Sequence, residues 1–179
     1  KFKSFESQAM AEKAFNESFE QYKGKKVASS PTLSPLELER IGSPILPSIA
    51  VDAACSGNPG IMEYRGVDTE TQAEIFRIAP IKDGTNNIGE FLAIVHALAF
   101  MKQRNLSLPV YSDSKIAMSW VRQKVCKTKV PRTSHNEKIF ELIARAEQWL
   151  HNNTYPNPIL KWETQVWGEN PADFGRKDK

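Results

Sequence analysis

The sequence has little that commits it to a secreted, metal-thiolate or membrane-spanning class. It holds two cysteines, Cys55 and Cys126, in unrelated contexts. No CxxC pair and no Cys/His ligand spacing is present, so no zinc-type donor set can be read. Two isolated thiols suit reduced side chains, and the expected location is cytoplasmic. No apolar run approaches the ~20 residues that span a bilayer, so no membrane association is expected. No stretch reads as a signal peptide. The chain starts at Lys1 rather than Met, and an upstream segment is expected to be missing. Charge is nearly balanced, with 24 Lys+Arg against 21 Asp+Glu and a net +3. That permits a nucleic-acid partner without arguing for one. Internal repeats and low-complexity tracts are also absent. What remains is an ordinary globular composition, 40% hydrophobic and 25% charged, over 179 residues. The length suits one full domain plus a fragment of another.

Residues 1–26 open with an alternating piece and continue as a helix with Ala9, Ala11, Ala14, Phe15 and Phe19 on one face. Residues 27–44 belong to a Pro- and Ser-rich stretch that reads as a linker, within which "PLELERI" suits one or two helical turns. From residue 45 the pattern changes. "ILPSIAVDAA", "GIMEYRGVDT" and "AEIFRIAPI" read as three strands of an antiparallel meander. "NNIGEFLAIVHALAFMKQRN" is a helix by its i, i+3, i+4 apolar spacing. A short strand in "LPVYSDS", helices in "SKIAMSWVRQ" and "HNEKIFELIARAEQWLHNN", a strand in "NPILKWET" and a terminal helix or turn in "WGENPADFGRK" complete the order. The order βββαβααβα predicts an α/β fold with a mixed sheet.

Four acids share a context. Asp52 ends the first strand, Glu90 lies in the first turn of an apolar helix, and Asp113 ends the fourth strand. Asp173 lies in the last segment, four residues after Glu169. If the first and fourth strands are neighbours, Asp52 and Asp113 converge at one edge of the sheet. Gathering anions in a half-buried place is unfavourable unless a cation neutralises them. With no His or Cys nearby, the fitting cation is magnesium or manganese. Any one of these acids, taken singly, suits a cap or a solvated surface group equally well.

The segments "VDAACSGNPG", "GTNNIGEFLAIVHAL", "YSDSKIAMSWV" and "WGENPADFGRK" resemble, in order and spacing, the motifs of the type 1 ribonuclease H family, over residues 45–179. The resemblance implies a ribonuclease H-like fold, a five-stranded mixed sheet flanked by helices. It implies an endonuclease that cuts the RNA strand of RNA–DNA hybrids with two Mg2+ ions, for which Mn2+ can substitute, leaving 5′-phosphate and 3′-hydroxyl ends. Carried over by motif, Asp52, Glu90, Asp113 and Asp173 are the metal-binding carboxylates, with Asp52 bridging both ions. Glu169 is implied near the water-activating metal. His96 reads as a core or helix-face histidine, and His135 and His151 as surface residues.

The same resemblance places Cys55, Gly57, Asn58, Asn86 and Lys115 against the RNA strand. Lys115 stands where some relatives carry Gln and suits a phosphate contact in place of a 2′-hydroxyl contact. Thr85, Asn87, Trp120 and Thr128 are implied on the DNA strand, and Lys129 departs from the small hydroxyl residue of some relatives. The basic run Arg122, Lys124, Lys127, Lys129 and Arg132 suits phosphates or, as readily, a solvated loop. Residues 1–26 resemble the second half of a hybrid-binding, viroplasmin-type domain. The implied partner is an RNA–DNA hybrid, with no protein partner and a monomeric state expected. Alternatives are another nuclease or polynucleotidyl transferase of the superfamily, a non-catalytic duplex-binding module, and the ribonuclease domain of a reverse transcriptase.

Overall fold

Ile49–Cys55 forms the strand, β1, around which the sheet is laid. The computed structural model describes residues 33–175, so the hybrid-binding remnant expected over 1–26 lies outside the described residues. Two compact units divide between Glu39 and Arg40. A short helix, α1 (Pro35–Ile41), begins where Ser34 donates through both its amide and its hydroxyl to the Glu37 carboxylate, at 2.8 Å each. That is a capping arrangement at the place where "PLELERI" was expected to turn.

In the second unit β1 pairs antiparallel with β2 (Gly60–Asp68) along its whole length. Its other edge pairs in parallel with β5 (Val110–Ser112), and β5 in turn pairs in parallel with β6 (Ile159–Lys161). The first and fourth expected strands are thus neighbours. The third expected strand, 73–81, is instead two short pieces, β3 (Glu74–Arg77) and β4 (Ile81–Gly84). Both lie on the outer edge of β2, β3 along Arg65–Val67 and β4 along Gly60–Met62. Pro80 falls in the gap, where it offers no amide to a ladder. The order across the sheet is β3–β2–β1–β5–β6, five strand positions with the outer one divided.

The helix α2 (Asn86–Gln103) is the hub of the core. Ile88, Phe91, Ile94, Leu98 and Met101 are fully buried, and small residues fill the spaces between them. A helix apolar nearly all round must be covered nearly all round. The sheet covers one side, and α3 (Lys115–Gln123) and α4 (Glu137–Asn152) cover the other. Each fully buried Phe, Leu or Ile contributes about 1.5–3 kcal/mol relative to exposure. Ile139 and Leu150 of α4 are likewise inaccessible.

The last expected element also differs. Its helix, α5 (Thr164–Trp167), comes before the acids rather than through them. "GENPADFG" runs as an irregular turn closed by the Asp173 amide on the Asn170 carbonyl at 2.8 Å. Gly168 and Pro171 explain this, since neither favours continuation of a helix. Among the described residues, no helix is long and apolar enough to cross a membrane.

Candidate active site

Asp52 is the fourth of the seven residues of β1, not its last. The hairpin with β2 carries β1 on through Cys55, whereas the parallel pairing with β5 reaches only Ala50 and Tyr111. Beyond that point β1 keeps one partner, and its other edge opens toward the carboxyl end of β5. Such a place, where neighbouring strands diverge at their carboxyl ends, is where α/β sheets present ligand sites.

Glu90 fills the opening. Its Oε1 accepts from the Ala53 amide at 3.2 Å, and its Oε2 accepts from the Ser112 hydroxyl at 3.2 Å. One carboxylate thus joins β1 to β5 where their ladder has ended. This reach depends on Gly89: a Cβ there would lie 2.7 Å from Ala53 Cβ and 3.1 Å from Met62 Cγ. The bare backbone lets α2 approach β1 closely enough for the next residue to touch it.

Asp113 follows β5 directly, and Ser114 then caps α3 by accepting from the Ala117 amide. Carboxylate oxygens of Asp52, Glu90 and Asp113 all lie within 4.8 Å of one another. Glu90 is 1% exposed and Asp52 7%, whereas Asp113 is only partly covered. Asp173 closes the other side of the same open pocket of about 400 Å3, together with Phe174. Burial, then repulsion from Asp113 and Asp173, pushes the Asp52 carboxyl up to about 6, against the contact with Glu90 that favours its charged form. Burial and the neighbouring Asp52 hold Glu90 well above the usual carboxylate range. Burial and mutual repulsion thus disfavour ionising both members of the pair unless a cation neutralises them.

The donor set is all oxygen, with no imidazole or thiolate among the three clustered acids. It fits a hard divalent cation such as Mg2+ or Mn2+, which prefers carboxylates at about 2.0–2.2 Å. Glu169 lies exposed in the bend after Gly168 and is not in the wall of this pocket. The final turn, not helical spacing, sets its relation to Asp173.

The residues implied in substrate contact fall into two groups. Cys55 and Asn86 line the carboxylate pocket with Ser56. Thr85, Asn87, Trp120 and Thr128 line a second recess of about 470 Å3, and Lys127 and Lys129 stand beside them. Asn58 belongs to this second recess, not to the carboxylate pocket. Gly57 supports the turn that presents it, because a Cβ there would lie 2.9 Å from the Pro59 carbonyl oxygen. Lys115 is exposed at the start of α3 and lines neither space. Thr85 also caps α2, its hydroxyl accepting from the Ile88 amide. Trp120 packs edge-on against Phe91, with ring centroids 6.4 Å apart, while it lines the recess. Arg132 is engaged with Glu137 at 3.1 Å, so part of the basic run is already paired.

His96 stacks on Phe76 with centroids 4.0 Å apart, as a helix-face histidine, and burial lowers its pKa. His135 and His151 are exposed. The sequence reading overlooked Asn170 and Arg65. The Asn170 amide group donates to the Val51 carbonyl at 2.9 Å from a buried position. Asn170 lies four residues before Phe174 in the motif that carries Asp173, and an Asn among turn residues was the available signal. Arg65 gave no signal in the strand "GIMEYRGVD", whose pattern shows only pairing.

The RNase H family model matches residues 47–159. A ribonuclease H of Francisella philomiragia is 36% identical over 78 residues, which are 40% of this chain and 47% of that protein. A ribonuclease H of Francisella tularensis subsp. novicida is 35% identical over the same length and the same shares. The chain thus spans about half the length of the curated relatives it matches. Among solved structures, an RNase H1 isolated from compost by a metagenomic approach is 18% identical. That match covers 68% of this chain and 89% of the other, with a TM-score of 0.42.

Proposed function

Because the chain belongs to the RNase H family, we propose that it is an endonuclease hydrolysing the RNA strand of RNA–DNA hybrids. The observation that carries this reading is the convergence of Asp52, Glu90 and Asp113, their oxygens within 4.8 Å, in a pocket that Asp173 completes. The four acids would hold two Mg2+ ions, or Mn2+ in their place. Asp52 would serve both ions, Glu90 and Asp113 the one beside the leaving oxygen, and Asp173 the one beside the attacking water. When bound, two such ions would supply an activated water and stabilise the leaving oxygen, which would give 5′-phosphate and 3′-hydroxyl ends.

The chain's own residues do the rest. Asp52 is held on a strand paired along its full length, so its carboxylate is presented rigidly. Ala53 and Ser112 orient both oxygens of Glu90 through the two hydrogen bonds described above. Glu169 would act near the attacking water. Cys55, Gly57 and Asn86 would meet the RNA strand, where the 2′-hydroxyl and helix shape distinguish RNA from DNA, and Asn58 would meet it from the rim of the second recess. Thr85, Asn87, Trp120 and Thr128 would hold the DNA strand in the second recess, with Lys127 and Lys129 on its phosphates. Lys115 would reach a phosphate from outside both spaces.

The test is direct. Labelled RNA–DNA hybrid, duplex RNA and duplex DNA are incubated with the protein in Mg2+ or in EDTA. Cleavage of the RNA strand of the hybrid in Mg2+ alone is expected. Cleavage of duplex DNA, or activity that survives EDTA, overturns the reading.

A further inference from the structure

Asp173 stands on a segment, 168–175, that has neither helix nor strand. Its internal contacts are local: the Ala172 amide donates to Asn170 Oδ1 at 2.9 Å, and the Gly175 amide to Asp173 Oδ1 at 2.7 Å. An acid on such a segment samples many backbone states unless the scaffold restrains it, and a misplacement of about 1 Å in a reacting site is costly.

We propose that Arg65 is a positioning residue that holds the Asp173 backbone beside Asp52. The proposal rests on the assignment of Asp173 to the active site. Arg65 lies directly opposite Asp52 in the β1–β2 register, so both side chains leave the same face of the sheet. From there its guanidinium reaches across to the terminal segment. Nε donates to the Ala172 carbonyl at 2.8 Å and Nη2 to the Asp173 carbonyl at 2.6 Å. Nη1 pairs with Glu74 at 3.3 Å, which fixes the guanidinium plane from behind. The Phe174 ring lies against the same group, 5.0 Å from Arg65 Cζ and 5.2 Å from that of Arg77. Arg77 is itself tied to Glu74 at 2.8 Å and to Glu63 at 3.4 Å.

This is a planar fork on two consecutive carbonyls, which a single ammonium cannot reproduce. The residue register that places Arg65 opposite Asp52 therefore makes one strand pair locate two acids. Asp52 is placed by the strand itself, and Asp173 by the arginine that faces it, alongside the Asn170 anchor on the Val51 carbonyl.

The experiment compares the intact chain with Arg65→Gln and Arg65→Lys, using amide hydrogen exchange and titration with Mn2+ alone. In Arg65→Gln, exchange at Ala172, Asp173 and Gly175 is expected to rise by about tenfold or more, while the β1 amides stay protected. The Mn2+ concentration for half-saturation is expected to rise about fivefold or more. On hybrid, kcat is expected to fall about tenfold with KM within about twofold, a loss confined to the chemical step. Arg65→Lys is expected to fall between the two. Unchanged exchange in Arg65→Gln, a β1 that loses protection equally, or a lysine variant equal to the parent each overturns the proposal. If exchange and Mn2+ binding shift but the parent never cuts hybrid, the positioning role stands and the proposed activity fails. If the parent cuts hybrid and Arg65→Gln leaves exchange unchanged, the activity stands and the positioning role fails.

Discussion

Glu90 touches Ala53, a residue 37 positions earlier, through a single hydrogen bond from backbone amide to carboxylate at 3.2 Å. A buried acid thereby replaces a missing strand partner. The same carboxylate takes the Ser112 hydroxyl, so the end of β1, the end of β5 and the start of α2 meet on one side chain. An Asp at position 90 would be one methylene short of both donors. Glu90→Asp is expected to keep the fold and to reduce hybrid cleavage by about 10²-fold or more, since a misplaced carboxylate loses much of its value in a reacting site. Steady-state cleavage alongside a thermal melt checks this; parent-like turnover would refute it.

Removing the central charge should end the chemistry and spare binding. Asp52→Asn keeps the size of the side chain and removes the anion that both cations would share. Hybrid cleavage is expected to fall by at least about 10³-fold, with hybrid affinity within about threefold of the parent. Gel-shift and cleavage assays on the same preparations measure both. Normal cleavage by the variant would show that the metal site lies elsewhere.

The raised carboxylates make the metal-free protein's stability depend on pH in a definite sense. The folded-state Asp52 titrates near 6 rather than 3.8, because of burial first and then its acidic neighbours. A folded pKa above the unfolded value means that the folded state binds its proton more tightly. The associated stability is fully present below about pH 4 and is lost as pH rises through about 6. Glu90 adds to the same trend. His96, lowered by burial, acts in the opposite sense below its ordinary pKa, but equally in parent and variant. In EDTA, therefore, Asp52→Asn should match the parent near pH 4 and exceed it by ~1–3 kcal/mol at pH 7–8. Denaturant unfolding at several pH values gives the difference directly, and a gap that shrinks with rising pH would contradict it.

Gly89 is expected to tolerate no side chain. Alanine gains about 1 kcal/mol of helix propensity over glycine in a helix interior. Its Cβ, however, would lie 2.7 Å from Ala53 Cβ, a methyl held on the strand that cannot swing aside. Overpacking of this kind costs about 1–3 kcal/mol, and any shift of α2 that relieves it carries Glu90 off the Ala53 amide. Gly89→Ala is thus expected to lower both the melting temperature and cleavage. A melting temperature at or above that of the parent would sink the close-approach account.

Two lysines separate recognition from chemistry. Lys129 lines the second recess, whereas Lys115 is exposed and lines neither space. Lys129→Ala is expected to raise KM for hybrid several-fold and to reduce the salt dependence of binding by about one counter-ion. Lys115→Gln, which removes a more peripheral phosphate contact, should lower affinity by only about two- to threefold. Salt titrations of binding for both variants distinguish the positions, and the reverse ranking would overturn the assignment of the DNA strand to this recess.

Much of the fold was legible because its signals are local. The 3.6-residue stripe of "EKIFELIARAEQWLHN" and the alternation in "GIMEYRGVD" report which faces must be covered. The four acid-bearing motifs stood in the chain in readable order. Where sequence reasoning failed, a long-range strand pairing or a local helix or strand breaker was responsible. Pairing with β2 extends β1 past Asp52, a proline divides the third strand, and the terminal acids lie in a turn. Asn170 and Arg65 escaped notice because an amide or a guanidinium in a strand or turn looks the same whether it faces water or a distant carbonyl.

By itself, then, the chain order determined which residues carry charge, which helices need a buried face, and which four acids are candidates to work together. Only the tertiary structure decided that Asp52, Glu90 and Asp113 come within 4.8 Å, that Asn58 lies with the second recess, and that Arg65 grips the segment of Asp173. Secondary structure follows from forces between near neighbours in sequence. A site of like charges forms only where strands from distant parts of the chain diverge, and that place is set by packing of the whole sheet.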